Sequence, residues 1–562
     1  MKIKNIITGF CCSLLLLTPA CNDELDYNEI VSYNKADVFG SFDKTMQFVT
    51  NVYSYLDYDF GNYYGGAMLA SASDESEFAW SYSSIHDFYN GSWSPLNSKT
   101  IGWTSHYAAI RAVNMYLVES KGQTFEPFKH NKDYNEQMTR FGRYQYEMRF
   151  IRAYLYFNLV REYGDVPLVL DVLDEDQANT LSRDPYQKVI DFIVEECDAI
   201  VDELPVVHSS PYTESGRVGR IAVLALKART LLYDASPLFN TSADKTKWKA
   251  AAEANKAVID ACRENSKTLG AYTDLWGTEN YNAKEIIFAR RIGSLSSLEQ
   301  YNFPIGVEGG NSGNCPTQTL VDAYEMQSTG KAWDEAGSGY NPDSPYNDRD
   351  PRLGMTIVKN GDKGWPAYNP LPIQTYEGGA NAAPLTGATP TGYYLKKYCD
   401  ASVDLRTGTS NTKRHSWVTY RLGEFYLNYA EAVFNYLGSA DATDGTLTIS
   451  ARDAVNTIRK RTGVNMPEFP AGLSNAEFEK KYMNERMVEL AFEGHRFWDI
   501  RRWKKGELLK SITRMKITKD SGDRLTFTRV IKNRSWNDKM YFFPIPDAEI
   551  RKNSNLTQNP GW

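Results

Sequence analysis

The chain has 562 residues, 63 basic against 70 acidic, and a formal net charge of −7. A phosphate-binding surface needs a basic excess that this balance does not supply, so nucleic acid is excluded as a partner. The length exceeds what one compact core usually serves, which predicts several domains or an extended repeat.

The opening residues, MKIKNIITGFCCSLLLLTPAC, read as a lipoprotein signal: Lys2 and Lys4 give a positive start, Ile6 to Leu17 an apolar core, and Thr18-Pro19-Ala20 leads to Cys21. That apolar run is too short to span a bilayer, and no later stretch reaches about eighteen uninterrupted apolar residues. Residues 1–20 are therefore expected to be removed, Cys21 to carry acyl chains, and residues 21–40 to form a lipidated tether. Removal takes Lys2 and Lys4 and no acid, leaving 61 basic against 70 acidic residues and a net charge of −9.

Residues 41–291 are patterned as helices. Tyr144 to Tyr163 carries one apolar stripe at 148, 151, 155 and 159 and a second at 146, 150, 154 and 157. Two stripes cover most of the circumference, so other elements must wrap this helix, and Gly164-Asp165-Val166-Pro167 stops it. Residues 186–204 form an amphipathic helix ended by Pro205. In 219–235, Ala222, Ala225 and Ala228 would let a neighbouring helix approach closely. Trp248 to Cys262 continues the series, as do Val418 to Leu437, Ala451 to Thr462 and Ala476 to Leu490 within a C-terminal helical part, 414–562. Paired helices meeting through small residues predict a mainly α fold, an irregular tetratricopeptide-like superhelix.

Two stretches break this texture. An aromatic loop at 74–103 holds Trp80, Tyr82, Tyr89 and Trp93. Residues 292–413 are rich in Gly, Pro, Asn and Ser, and a loop-dominated stretch of that length is usually functional. Its aromatics, Tyr301, Trp333, Tyr340, Tyr346, Trp365 and Tyr376, argue against plain disorder.

With the signal gone, Cys197, Cys262, Cys315 and Cys399 are scattered and form no disulfide framework. The six histidines are dispersed without HExxH spacing, so no catalytic transition metal is expected. No cofactor is assigned. Asp343, Asp348 and Asp350 offer oxygens for a structural calcium, but without EF-hand spacing they read as solvated loop acids.

Six blocks then resemble one family in order: EMRFIRAYLYFNLVREYGDVPL (147–168), NDRDPRLGMTIVKNG (347–361), YRLGEFYLNYAEAVFNYLG (420–438), ARDAVNTIRKRTG (451–463), ERMVELAFEGHRFWDIRRWK (485–504) and YFFPIPDAEIRKNSNLTQNPGW (541–562). Together with the lipobox they are similar to the RagB/SusD family of surface glycan-binding lipoproteins. The resemblance implies four tetratricopeptide-like units with a ligand-binding subdomain at 292–413. It also implies oligosaccharide capture and a SusC-like TonB-dependent transporter as partner. Acidic residues after Cys21, as in lipoproteins of Bacteroidota, imply anchoring in outer-membrane lipid at the cell surface. RagB-like relatives imply a peptide-uptake alternative.

Glu489 and Glu493 invite a third reading, a glycoside hydrolase with two carboxylates across a sugar. They lie amid Arg496 and Arg502 with Asp499 at three- and four-residue spacings, so opposite charges can pair along one helix. An arginine-paired carboxylate stays ionised, the opposite of a general acid, and structural pairing is expected.

Glycan capture needs flat aromatic faces for sugar C–H groups and polar groups at their edges. Large aromatics lying among Gly, Ser and Asn supply the candidates: Trp80, Tyr82 and Trp93 from the first loop, with Trp276, Tyr281, Tyr301, Trp333 and Trp365 in and around the second. Trp103, on a helical pattern before Tyr107 and Ile110, is expected to be core.

Overall fold

The computed structural model describes residues 34–206 and 216–562. The expected lipidation at Cys21, the signal and most of the tether lie outside the described residues. Among the described residues, no helix is long and apolar enough to cross a membrane.

The fold is mainly helical. Its longer helices are α1 (Phe42–Tyr53), α2 (Trp103–Glu119), α3 (Tyr134–Tyr163), α4 (Tyr186–Ile200), α5 (Arg220–Ala235), α6 (Lys245–Glu264), α7 (Leu422–Leu437), α8 (Ala451–Arg459) and α9 (Asn475–Glu489). Each packs on a neighbour: α2 on α3, α3 on α4, α4 on α5, α5 on α6, α6 on α7, and α7 on α8. In α3 the two apolar stripes are buried as expected except at Tyr146, which is half-buried, and the helix ends at Gly164, whose φ of +72° suits glycine. Ala222, Ala225 and Ala228 of α5 and Ala251 and Ala252 of α6 are buried, which brings these two backbones together.

One predicted helix begins late. Residues 413–421, KRHSWVTYR, form a strand, and α7 starts at Leu422. The β-branched and aromatic side chains here suit an extended backbone better than the helical pattern that follows. The strands are β1 (Ser76–Phe78), β2 (Ile286–Leu295), β3 (Asn314–Pro316), β4 (Ile357–Val358), β5 (Tyr394–Leu395), β6 (Lys413–Arg421), β7 (Ser511–Lys519) and β8 (Leu525–Asn533). They pair antiparallel as β1 with β3, β2 with β6, β4 with β5 and β7 with β8. The β2–β6 ladder closes the base of the loop-rich stretch, and β1–β3 joins the two aromatic loops.

The signature segment is not one helix. After Glu489 the chain turns through Phe492 (φ +60°) and Gly494 (φ +75°) before a short helix, α10 (Arg496–Arg502). Its charges pair, but mostly with remote residues. Glu489 meets Arg352 at 2.9 Å, Arg421 at 2.8 Å and Arg461 at 2.6 Å. Glu493 meets Lys397 and Arg421, Arg496 meets Asp74, and Asp499 meets Arg486 and Arg502. Only Asp499–Arg502 among these keeps the expected three-residue spacing. Burial alone would push the Glu489 carboxyl up, but Arg461, Arg421 and Arg352 hold it down at about 2. This buried network ties the loop-rich stretch (Arg352, Lys397) to the helical frame (Arg421, Arg461, Glu489).

Candidate functional site

The eight predicted aromatics separate into three groups. Trp93, Trp276 and Trp365 are buried, and this corrects the expectation that they face ligand. Trp93 donates from Nε1 to the Ser98 carbonyl at 2.8 Å and packs edge-on against Phe543 and Trp562 of the C-terminal tail. Trp276 lies under the Lys397 ammonium, 3.8 Å from its ring centre, and against Tyr398. Trp365 fills a small core with Phe303 and Val403. In each case contacts distant in sequence cover the ring.

Tyr281 and Trp333 are half-buried and stand apart. The Arg291 guanidinium lies 3.5 Å over Tyr281, whose hydroxyl binds Glu279. Arg529 of β8 lies 3.4 Å over Trp333, held there by Asp322 at 2.7 Å. One face of each ring is therefore already stacked on a cation.

Trp80 and Tyr82 are brought together, and Tyr301 lies against the neighbouring Gly65-Gly66 turn. Tyr82 is 63% exposed, and its ring lies 5.9 Å from that of Trp80 at 32°. Trp80 is half-buried, and its Nε1 donates to the Asn311 carbonyl at 2.7 Å, fixing the indole to the second loop. A methyl group on Gly387 would overlap the Trp80 ring, so glycine there admits the indole. The Gly65-Gly66 turn, with both residues at positive φ, runs beside the rings: a Cβ on Gly66 would stand 2.9 Å from Tyr301, and one on Gly65 would stand 3.8 Å from Tyr82. Positive φ and the missing side chain at Gly66 let this backbone approach Tyr301, while the distance at Gly65 is an ordinary contact.

The turn bearing Trp80 is held from behind by His86, whose Nε2 donates to the Trp80 carbonyl at 3.0 Å while Nδ1 accepts from the Tyr89 hydroxyl at 2.6 Å. Burial lowers the His86 pKa, in keeping with a neutral ring that donates on one side and accepts on the other. Sequence reading missed Gly66, Gly387, Asn311 and His86. The GNYYGG run at 61–66 was the available signal for the first of these. The others depend on long-range contacts.

The three loop acids do not converge on a cation. Asp350 is buried and pairs with Arg352 at 2.7 Å, Asp348 accepts from Ser328, and Asp343 lies 3.4 Å from Arg524. A separate groove of about 500 Å³ lies between α2 and residues 167–181. Trp103, predicted as core, is almost wholly buried at its edge, and none of the eight predicted aromatics lines it.

Comparison with known proteins accords with this architecture. The profile described as "SusD family" matches residues 284–562, and that described as "Starch-binding associating with outer membrane" matches residues 26–232. The chain belongs to the RagB/SusD family. It is 24% identical over 424 residues to SusD-like protein P2 of Formosa agariphila, spanning 74% of this chain and 73% of that one. A SusD-like protein of Bacteroides fragilis superposes with a TM-score of 0.74 at 25% identity, over 94% of this chain and 99% of its own. A SusD-like carbohydrate-binding protein of the same organism gives 0.74 at 24% identity, over 92% and 100%. The RagB/SusD frame is thus the mainly helical one described above, with the aromatic loops carried on it.

Proposed function

We propose that this RagB/SusD protein is a cell-surface lipoprotein that captures oligosaccharide without cleaving it. It passes the oligosaccharide to a SusC-like TonB-dependent transporter. The observation that carries this reading is Tyr82: a large ring left open to solvent beside Trp80, on a turn braced by His86 and Asn311. A rigid, partly exposed pair of rings meets the C–H face of a pyranose without first having to be ordered. The carbohydrate-binding relative from Bacteroides fragilis supports the same ligand class.

Two or three stacks of about 1 kcal/mol each act against an association cost of at least ~4 kcal/mol, so micromolar to millimolar affinity is expected. Weak binding suits a protein that must release its cargo. The carboxylate pair that invited a hydrolase reading is ill suited to it: Glu489 is held ionised by three arginines, and Glu493 is buried against Lys397 and Arg421.

Affinity electrophoresis in gels containing polysaccharide tests the reading, with Trp80→Ala and Tyr82→Ala as variants. Retarded wild type and unretarded, folded variants are expected. Equal retardation of all three refutes the platform, and new reducing ends on incubation would restore the hydrolase. Titration with oligosaccharides and peptides side by side separates glycan capture from the peptide-uptake alternative.

A further inference from the structure

We propose that the cleft behind the Trp80 turn is a subsite for an anionic group on the bound glycan, a carboxylate or a sulfate ester. The inference rests on the glycan-capture reading and narrows its ligand class. The cleft has a volume of about 420 Å³ and is lined by His86, Tyr89, Asn90, Lys532, Arg534 and Ser535. His86 is its wall on the platform side, and the same ring hydrogen-bonds the Trp80 carbonyl, so cleft and platform are separated by one side chain.

The charges around this cleft do not balance. Glu77 of β1 binds both Arg514, at 2.8 Å, and Lys532, so one carboxylate answers two cations. Arg534 is a third cation, 8% exposed. Its terminal nitrogens donate to the carbonyls of Ser73 and Ser76, and its guanidinium stacks 4.0 Å from the Tyr89 ring centre. Among the described residues no carboxylate pairs with it, and its Nε is buried without a hydrogen-bond partner.

Counting Arg514, Lys532, Arg534 and Arg496 against Glu77 and Asp74, the local excess is two positive charges in a chain whose net charge is −7. The hydrogen bonds of this buried guanidinium go only to neutral carbonyls, and the two carboxylates that act on it from further off, Glu77 and Asp74, are each already paired with other cations, so it is incompletely compensated for lost hydration and an incoming anion supplies the missing counter-charge. Lys532, 36% exposed at its side chain, can turn toward ligand while Arg514 keeps Glu77 paired. Exposed Asn90 and Ser535 add neutral donors at the rim. An uncharged glycan would stack on Trp80 and Tyr82 but leave Arg534 as it stands, so the site discriminates for anionic sugars.

The test is affinity electrophoresis of the whole protein against polygalacturonate (carboxylate), carrageenan (sulfate ester) and laminarin (uncharged). One anionic polymer is expected to bind at least about tenfold more tightly than laminarin and to lose that margin in about 0.5 M NaCl. Lys532→Gln, at a partly exposed position, should keep the fold and reduce the margin several-fold; Arg534→Gln should abolish it. Should Arg534→Gln fail to fold, Lys532→Gln and the salt dependence decide. Laminarin bound as tightly as the better of the two anionic polymers, or a margin indifferent to salt and to Lys532→Gln, overturns the subsite and leaves the platform standing. Retention of none of the three overturns both.

Discussion

The indole Nε1 of Trp80 donates to the carbonyl oxygen of Asn311 at 2.7 Å, joining two loops 231 positions apart in sequence. Neither loop alone could hold the ring. With β1 paired to β3 as well, this hydrogen bond fixes the indole beside Tyr82, so the proposed ligand surface depends on both loops folding together.

Tyr82→Ala should separate binding from stability. The ring is mostly in solvent, so the melting temperature is expected to change by no more than about 0.5 kcal/mol of stability would dictate. Glycan affinity should fall about fivefold, the equivalent of one stacking contact. Calorimetric titration and thermal unfolding of one sample measure both; unchanged affinity contradicts the role given to Tyr82.

Gly387→Val should weaken binding while leaving Tyr82 untouched. The position has φ +78°, and its new side chain would occupy the space of the Trp80 indole. Displacing the ring breaks the bond to Asn311, and a shift in tryptophan emission together with reduced gel retardation is the expected pair of signals.

Trp93→Ala and Trp276→Ala should instead cost stability, about 3–5 kcal/mol each, because both leave cavities in packed cores. Denaturant unfolding gives the figure. If either variant unfolds like the wild type and loses glycan binding, its ring belongs to the platform after all.

Glu489→Gln should destabilise the protein severely. It removes the carboxylate that Arg352, Arg421 and Arg461 share and leaves uncompensated buried cations, a change of about 3–5 kcal/mol in comparable pairs. A folded variant with wild-type melting behaviour would show that the network is not structural.

Stability should fall as pH rises from about 4 to about 7. Burial raises the carboxyls of Asp59 and Glu162 to about 7 each, whereas both ionise near 4 in an unfolded chain. Across that window the folded state holds protons that the unfolded state has lost, so each step upward in pH favours unfolding, levelling off above about 7. His106 adds the same sign: burial alone would lower its pKa, but Asp57 raises it, and that stabilisation is lost as pH rises through the raised value. Glu489 acts oppositely, its contribution being present above about 4.5 and lost as pH falls through about 2. Melting temperature against pH should therefore decline on both sides of a mildly acidic maximum. A flat profile between about pH 5 and 7 would contradict the buried, protonated state of Asp59 and Glu162.

The helices were legible because the period of apolar residues is a local property. The 144–163 stripes, the alanines at 222, 225 and 228, and the stop at Gly164 each need only a few neighbouring positions to be read. The order of the signature blocks likewise carried the family, and the mixture of arginines with Glu489 and Glu493 carried their pairing. Which charge meets which did not follow: Glu489 reaches Arg352 across 137 positions, not a neighbour on its own helix.

Exposure of the aromatics was decided by the tertiary structure alone. Trp93 and Tyr82 sit in one loop of similar composition, yet the C-terminal Phe543 and Trp562 cover the first, and among the described residues nothing comparable covers the second. A residue's type and immediate neighbours determine that it is a large ring on a turn. Whether sugar can reach it depends on what the rest of the chain packs against it, because burial is set by contacts in space, and those close only when distant segments meet.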